Sequence, residues 1–353
     1  MFNKLNLLGG DDVNTTPKAM KTEILRGIRK SLLELESATK VELSDKLGIS
    51  FPTISKFLAQ MEKDGELISI GLDDSSGGRR AKRYRYNPEY MLGLAIFLER
   101  TETNYIVFNC KGEVKDAGNT SSLLVDADLS LLTQCVENIL EKFPKIGSIA
   151  VGVPGSVNNG QIIYIPGYGQ LENFDLKGYL ENHFSIPVEI ENDMNAAVLG
   201  FHDSKGKKKN ESLVYLYSGQ NGPGAGIMVN GTVVRGSTNF SGEVSFVPQY
   251  DDKNFQKALG NEAGTKKALI GEEHEIDAIS RLVASFVAII NPHMIIFCDD
   301  EVNQNTINAI LKRSSTYIPP AHLPELIMSD WKQDYLFGLQ SLSLDRMFTS
   351  ISN

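Results

Sequence analysis

The sequence predicts a small α+β head followed by a larger α/β body, and three observations carry that prediction. Apolar residues between positions 19 and 61 recur at helical spacing and are broken by turn residues. Residues 67–88 read as two strands around a glycine-rich turn. From Met91 onward, short apolar strands alternate with helical stretches. At 353 residues the chain exceeds what one hydrophobic core usually organises, so two or three domains are expected.

The head begins with a helix over residues 19–35, where Ile24, Leu25, Ile28, Leu32 and Leu35 follow helical spacing. A second, short helix runs through Val41, Leu43 and Leu47 and stops at Gly48, a good C-cap residue. Ser50 is placed to cap a third helix, with Pro52 in its first turn. Ile54, Phe57, Leu58 and Met61 form its inward stripe, and Gly65 ends it. Two short helices joined by a tight turn make a helix-turn-helix pattern. Its second helix would enter a DNA major groove through its N-terminal half, where Thr53, Ser55 and Lys56 are the polar, outward residues. Phe51 and Pro52 either touch a base or shape the turn, and a plain three-helix packing module competes for this segment.

The next segment favours DNA. Residues 67–70 form a strand, GLDDSSGG a turn, and RRAKRYRYNP the returning strand of a β-ribbon. The returning limb carries Arg79, Arg80, Lys82, Arg83 and Arg85, a density of cations that is costly to leave without partners in a small fold. Phosphate contact supplies those partners, with Arg79 or Arg80 able to reach a minor groove. The alternative is a solvated face opposite Asp73 and Asp74. Charge is distributed accordingly. Residues 1–88 hold 15 Lys+Arg against 12 Asp+Glu, the remainder holds 20 against 32, and the whole chain stands at −9.

Other bulk features exclude several classes. Cys110, Cys135 and Cys298 are scattered and odd in number, which argues against a disulfide framework and suits a reducing compartment. The N-terminal MFNKLNLLGGDD turns acidic too early for a signal peptide. The most apolar stretch, residues 282–297, is interrupted by Asn291, Pro292 and His293 and is shorter than the roughly 20 residues that span a bilayer. It reads as a buried helix followed by a buried strand. A cytoplasmic protein without a membrane role is expected.

In the body, residues 91–114 read as two strands with a turn at Lys111 and Gly112, followed by a helix through Leu131, Leu132, Val136 and Ile139. A buried strand over residues 149–153 runs into the turn VPGSVNNG. Later, IPVEIENDMNAAVLG places Glu191, Asn192 and Asp193 at a strand end, with a helix from about Asn195. The C-terminal end of such a strand is where α/β sheets hold ligands.

ISFPTISKFLAQMEKDGELI followed by SSGGRRAKRY is similar to the winged helix-turn-helix of the ROK family (repressors, open reading frames and kinases), and the body resembles the ROK body across residues 90–345. The resemblance is carried by VGVPGSV, ENDMNAA, GPGAGIMVNGTVVRGSTNFSGEVSF and INPHMIIF in the family's order. It implies a winged helix-turn-helix over residues 1–88 and an actin-like/ribonuclease H-like sugar-kinase fold in two lobes, 89–205 and 206–353, the second expected to dimerise. It also implies that Asp193 falls on the catalytic base toward a sugar hydroxyl, and that Asn192 and Glu243 fall on sugar-binding positions. The competing reading is that Asn192 and Asp193 only cap the following helix.

Departures from the family pattern point away from catalysis. The first nucleotide motif, Asp-x-Gly-x-Thr, is here LAIFLERTETNY, with Phe97 and Leu98 where close backbone approach is required. The second, Gly-Thr-Gly-x-Gly, is Gln220-Asn221-Gly222-Pro223-Gly224, and Pro223 lacks an N–H. The adenosine-side glycine pair is replaced by Cys298-Asp299-Asp300, whose carboxylates would repel a polyphosphate. The Glu-x-Gly-His motif is Glu243-Val244-Ser245-Phe246, and the cysteine-rich zinc segment is missing, so no metal and no cofactor are expected. His274 reads as a surface residue. Phe246 either fills the pocket or stacks on a sugar face.

The expected protein is a transcriptional regulator, a repressor of carbohydrate-utilisation genes, with loss of kinase activity. Operator DNA contacts would come from Thr53, Ser55, Lys56, Arg79, Arg80, Lys82 and Arg83. A sugar-type effector would be held by Gly155, Asn192, Asp193, Glu243 and Phe246 in a homodimer or tetramer. The alternatives are a carbohydrate kinase with an appended DNA-binding domain and a ligand-insensitive DNA-binding scaffold.

Overall fold

The computed structural model describes residues 16–72, 81–124, 129–165, 168–206, 210–219, 222–260 and 269–350. They fall into two compact units, one of described residues up to Tyr90 together with those from Met347, the other of described residues between Met91 and Arg346.

In the first unit, helix α1 (Pro17–Glu34) starts at Thr16, whose hydroxyl accepts the Ala19 N–H. Strand β1 (Ala38–Thr39) leads into α2 (Lys40–Leu47), whose start is a reciprocal capping box between Thr39 and Glu42. Gly48 ends α2 at φ 64°, and α3 (Phe51–Lys63) follows. Ser50 stands at its N-cap but makes no capping bond to the backbone, because its hydroxyl pairs with that of Thr53 at 2.8 Å. Ile28, Leu32, Leu43, Ile54, Leu58 and Met61 close the core between these helices, while Phe57 is only partly buried. Strands β2 (Leu67–Leu72) and β3 (Lys82–Tyr86) pair antiparallel, and β3 also pairs with β1, giving the order β1-β3-β2. The two-residue β1 is too short to leave a periodic signal in sequence.

The boundary expected at residue 88 falls at Tyr90, and the last residues, expected in the second lobe, group with the first unit from Met347. Two contacts account for the grouping. Arg29, buried and ion-paired with buried Glu66, also donates to the Phe348 carbonyl at 3.3 Å. Tyr86 meets the Phe348 ring edge-on at 5.9 Å.

The second unit holds two five-stranded sheets. The first is built from β4 (Leu92–Leu98), β5 (Glu102–Asn109), β6 (Val114–Ser121), β7 (Ile146–Val153) and β10 (Val188–Asn192); α4 (Ser130–Lys142) lies between β6 and β7, and a separate hairpin, β8 (Ser156–Asn158) with β9 (Gln161–Tyr164), and α5 (Leu176–Phe184) lie between β7 and β10. Its order is β10-β7-β4-β5-β6. Strand β6 has an exposed or half-exposed face throughout, so it carries no apolar alternation and escapes a reading of the sequence.

Helix α6 (Asp193–Ser204) leads to the second sheet, of order β13-β12-β11-β16-β17. Its strands are β11 (Leu213–Tyr217), β12 (Gly224–Val229), β13 (Thr232–Val233), β16 (Met294–Cys298) and β17 (Glu325–Ser329). Between them lie the small pair β14 (Pro248–Gln249) and β15 (Lys253–Asn254), α7 (Phe255–Ala258), α8 (Glu273–Ile289) and α9 (Gln304–Ser314); α10 (Trp331–Ser350) closes the chain. The apolar stretch at 282–297 divides between α8 and β16 as expected, but α8 is buried on one face only and leaves Ile289 exposed.

Strand β4 is buried along its whole length because both of its faces are covered. Leu94, Ile96 and Leu98 join α4 and α5 in one core, whereas Ala95 and Phe97 point into another shared with α6, α10 and the second sheet. The second sheet buries its other face against α7, α8 and α9. Helices α6 and α10 cross at contact distance through reciprocal glycines. A β-carbon on Gly200 would lie 1.9 Å from the Asp334 carbonyl, and one on Gly338 would lie 1.9 Å from that of Ala196. Among the described residues no helix is long and apolar enough to cross a membrane.

Candidate functional site

Parallel pairing of β10 with β7 sets Asn192 opposite Val153, which brings the start of α6 beside the turn Pro154-Gly155. Only glycine fits that turn, since a β-carbon on Gly155 would meet the Tyr164 carbonyl at 2.1 Å. Asn192 is the N-cap of α6 and accepts the Asn195 N–H at 2.9 Å, so the capping role weighed from sequence is real. Its amide nitrogen remains available for other work. It donates to the Gly155 carbonyl at 3.0 Å and to Asp193 Oδ1 at 2.9 Å. Asp193 Oδ1 also accepts the Met194 N–H at 2.8 Å.

Glu243 arrives from the loop after β13. Its carboxylate accepts the Ser156 hydroxyl at 2.9 Å. Gly242, at φ 94°, lays this loop on β12, where Ala225 N–H bonds its carbonyl at 2.8 Å. At the loop's start Arg235 forms an ion pair with Glu191, a buried carboxylate that also accepts the Asn192 N–H at 3.0 Å and the Asn195 side-chain amide at 3.1 Å. The long loop is thereby fastened to the strand end that bears Asn192.

These groups enclose a cavity of about 220 Å³. Gly155, Asn192, Asp193, Glu243 and Phe246 all line it, together with Tyr164, Tyr217, Ser241, Ser245 and Gln256, which the sequence did not single out. The volume lies below the roughly 300–1,000 Å³ of drug-sized ligand sites and suits a single small ring. Burial raises the Asp193 carboxyl to about 7, against the Met194 N–H, and the neighbouring Glu243 carboxylate pushes in the same direction. Burial also raises Glu243, opposed by the Ser156 hydroxyl. Two carboxyls that hold protons more tightly than usual can each donate to or accept from a polyol hydroxyl. Phe246 does not fill the cavity; it stands at its edge, half exposed.

The region expected to face a nucleotide is built differently. Phe97 is buried, edge-on to Trp331 at 5.3 Å and 4.4 Å from Tyr335, while Trp331 stacks on Tyr217 at 4.2 Å and 19°. The first residue past β11, Ser218, gives its N–H to both oxygens of Glu301 at 3.0 and 2.9 Å. A carboxylate of the chain itself thus takes a backbone donor at the start of the glycine loop. Cys298 is buried, and Asp299 is raised by burial and by the nearby Asp330 and Asp300 carboxylates. Gln220 and Asn221 lie outside the described residues. His274 is exposed, and among the described residues no group of three or more His, Cys, Asp or Glu could hold a metal ion.

In the first unit, α3 leaves Lys56 exposed and Thr53 and Ser55 partly exposed. Ser55 accepts from Lys40 Nζ at 2.8 Å. Arg79, Arg80, Asp73 and Asp74 lie outside the described residues. The premise that the ribbon's cations lack partners within the fold is corrected for two of them. Lys82 pairs with Glu62 of α3, and Arg83 bonds Glu42 of α2 at 2.9 Å and the Ser37 carbonyl at 3.1 Å. The Thr39 N–H first, and Arg83 with it, holds Glu42 below the usual carboxylate range. These partners lie 20 and 41 residues away in sequence, beyond the reach of local pattern.

Residues 94–254 match the ROK family. The xylose repressor of Bacillus spizizenii is 25% identical over 221 residues, which cover 61% of this chain and 57% of that repressor. The match thus spans less than two thirds of that relative. The crystal structure of a ROK family transcriptional regulator, a homologue of the E. coli MLC protein, superposes with a TM-score of 0.70 at 19% identity over 94% of this chain and 98% of that one. A ROK hexokinase from Thermus thermophilus superposes with a TM-score of 0.54 at 20% identity over 70% of this chain and 96% of that one. At these identities the two structures speak for the fold.

Proposed function

On the premise that this chain carries a ROK family domain, we propose that it is a cytoplasmic, DNA-binding transcriptional repressor of carbohydrate-utilisation genes whose body senses a sugar instead of phosphorylating one. The observation that carries this reading is the pairing of a polar cavity with a filled nucleotide region. Asn192, Asp193 and Glu243 line the former, while Trp331, Phe97 and Glu301 occupy the latter with contacts inside the chain and Tyr217 stands between the two. Phosphoryl transfer depends almost wholly on positioning metal-bound nucleotide, and little here is free to position it. The similarity to a xylose repressor supports the regulatory role.

In this reading the first unit is a winged helix-turn-helix. Lys56, Thr53 and Ser55 on α3 face the major groove, and the ribbon carrying Arg79 and Arg80 follows the backbone or enters the minor groove. Lys82 and Arg83, already paired, brace the ribbon and would add phosphate contacts only by sharing their carboxylate partners. A homodimer or tetramer would present two heads to half-sites spaced by whole helical turns. Sugar controls the operator if it binds two arrangements of the protein with different affinity.

The test is selection of operators from random DNA by the full chain, followed by competition with a panel of sugars. A defined operator released by a sugar is the expected result; an operator indifferent to every sugar would leave only a DNA-binding scaffold. In the same assay Arg79→Ala with Arg80→Ala should weaken binding and reduce the slope of affinity against salt by about 2. Unaltered affinity and slope would remove the ribbon from the interface. Phosphate transfer from ATP to a sugar, abolished in Asp193→Ala, would restore the kinase reading.

A further inference from the structure

The cavity has two unlike ends. Toward the nucleotide region it is bordered by Tyr217, which is stacked on buried Trp331, and by Gly222, Pro223 and Gly224 of the glycine loop. The other end is open and aromatic. Phe246 lines the cavity yet is 53% exposed, and the Phe240 ring packs against it at 5.3 Å and is itself 48% exposed. Tyr164, on β9, also lines the cavity and is 41% exposed. Large aromatic side chains carry most of their stabilising area when covered, so a packed phenylalanine pair at the edge of a polar cavity offers a surface for a ring outside it.

The platform and the polar anchor are one piece of backbone. Glu243 N–H bonds the Phe240 carbonyl at 3.4 Å, and Phe246 N–H bonds the Glu243 carbonyl at 3.2 Å. A sugar ring placed against Glu243 therefore has the two phenyl rings beside it in a set relation. The described residues lining the cavity include two carboxylic acids and no lysine, arginine or histidine, so an anionic extension of the ligand would meet like charge without a cationic partner among them.

We propose that Phe240 and Phe246 form a second subsite, and that the effector is an uncharged glycoside of at least two rings. The first ring sits against Asn192, Asp193 and Glu243, and the next lies on the phenylalanine pair. This rests on the sugar-sensing reading above and narrows its ligand class.

The experiment is calorimetric titration of the full chain with matched sets: a pentose, a hexose and an N-acetylhexosamine, each as the monosaccharide, its β-1,4-linked disaccharide and its monophosphate. For one set, the disaccharide should bind about 10-fold more tightly than the monosaccharide, and the monophosphate should bind more weakly than either. Phe240→Ala should erase the disaccharide's advantage and leave monosaccharide affinity unchanged. Equal affinity for mono- and disaccharide, or a preference for the phosphate, would overturn the subsite while leaving sugar sensing intact. Loss of self-association in Phe240→Ala by light scattering, with sugar affinities unmoved, would overturn it in favour of an interface between copies. No binding by any sugar in any set would overturn both this proposal and the sensing reading on which it rests.

Discussion

Two halves of one body differ at the ends of different strands. On the β7 and β10 side, Gly155, Asn192, Asp193 and Glu243 keep polar atoms turned toward an open cavity, and their mutual hydrogen bonds orient them without using them up. On the β4 and β11 side, the strand ends are closed by Phe97, Trp331 and Tyr217, and the leading N–H of the glycine loop is taken by Glu301. On the proposed reading, the fold gives one side of its cleft to its own core and keeps the other as a receptor. Fold alone does not separate the two outcomes; the side chains at the strand ends do.

The strongest way to break the comparison is Trp331→Ala. If the nucleotide half is core, removing a buried indole packed on three aromatic rings should cost about 3–5 kcal/mol in denaturant unfolding. A loss below about 1 kcal/mol would describe a cleft with a loosely held lid. On the receptor half, Glu243→Ala should weaken sugar binding roughly 10- to 100-fold, the loss of a charged hydrogen bond. An unchanged dissociation constant would take Glu243 out of the site.

The two halves share the crossing of α6, which begins at Asp193, with α10, which begins at Trp331. Gly338→Ala forces a methyl group onto the Ala196 carbonyl and should lower stability by about 1–3 kcal/mol. Because the crossing serves both halves, sugar affinity should fall as well, and a purely global loss of stability would separate them.

A last effect concerns pH. Asp193 in the folded chain is raised to about 7 from an ordinary value of 3.8. Between those values the folded state holds a proton that the unfolded chain has released, so its contribution to stability is full below pH 4 and lost as pH rises through 7. Asp193→Asn removes that dependence. Its melting temperature should exceed that of the unsubstituted chain by several degrees at pH 8, and the difference should vanish near pH 4. A constant difference across that range would show that Asp193 does not titrate there.

Much of this was legible in the chain, for physical reasons that differ by region. The head's helices announce themselves through caps such as Gly48 and through apolar spacing, because both signals are local. The five residues expected around a ligand line one cavity: Gly155 from a glycine turn, Asn192 and Asp193 from the junction of β10 with α6, and Glu243 and Phe246 from the loop after β13. What escaped depends on distant contacts or on faces without contrast. Strand β6 has no apolar stripe, and the ion pairs of Lys82 and Arg83 join elements far apart in sequence. The sequence could report that Cys298-Asp299-Asp300 was wrong for a nucleotide, but not that Glu301, one residue on, would reach across to Ser218. Nor could Phe97 alone foretell that Trp331, from the last helix, would stack where it does.

That stack has an optical consequence. The chain contains a single tryptophan, and its indole lies face to face with Tyr217, a residue of the cavity wall. A ring bound in the cavity would lie in the same pocket as that tyrosine, one stacked ring away from the only indole in the molecule. The emission of Trp331 is therefore expected to change on titration with a bound sugar, a readout that needs neither a label nor DNA.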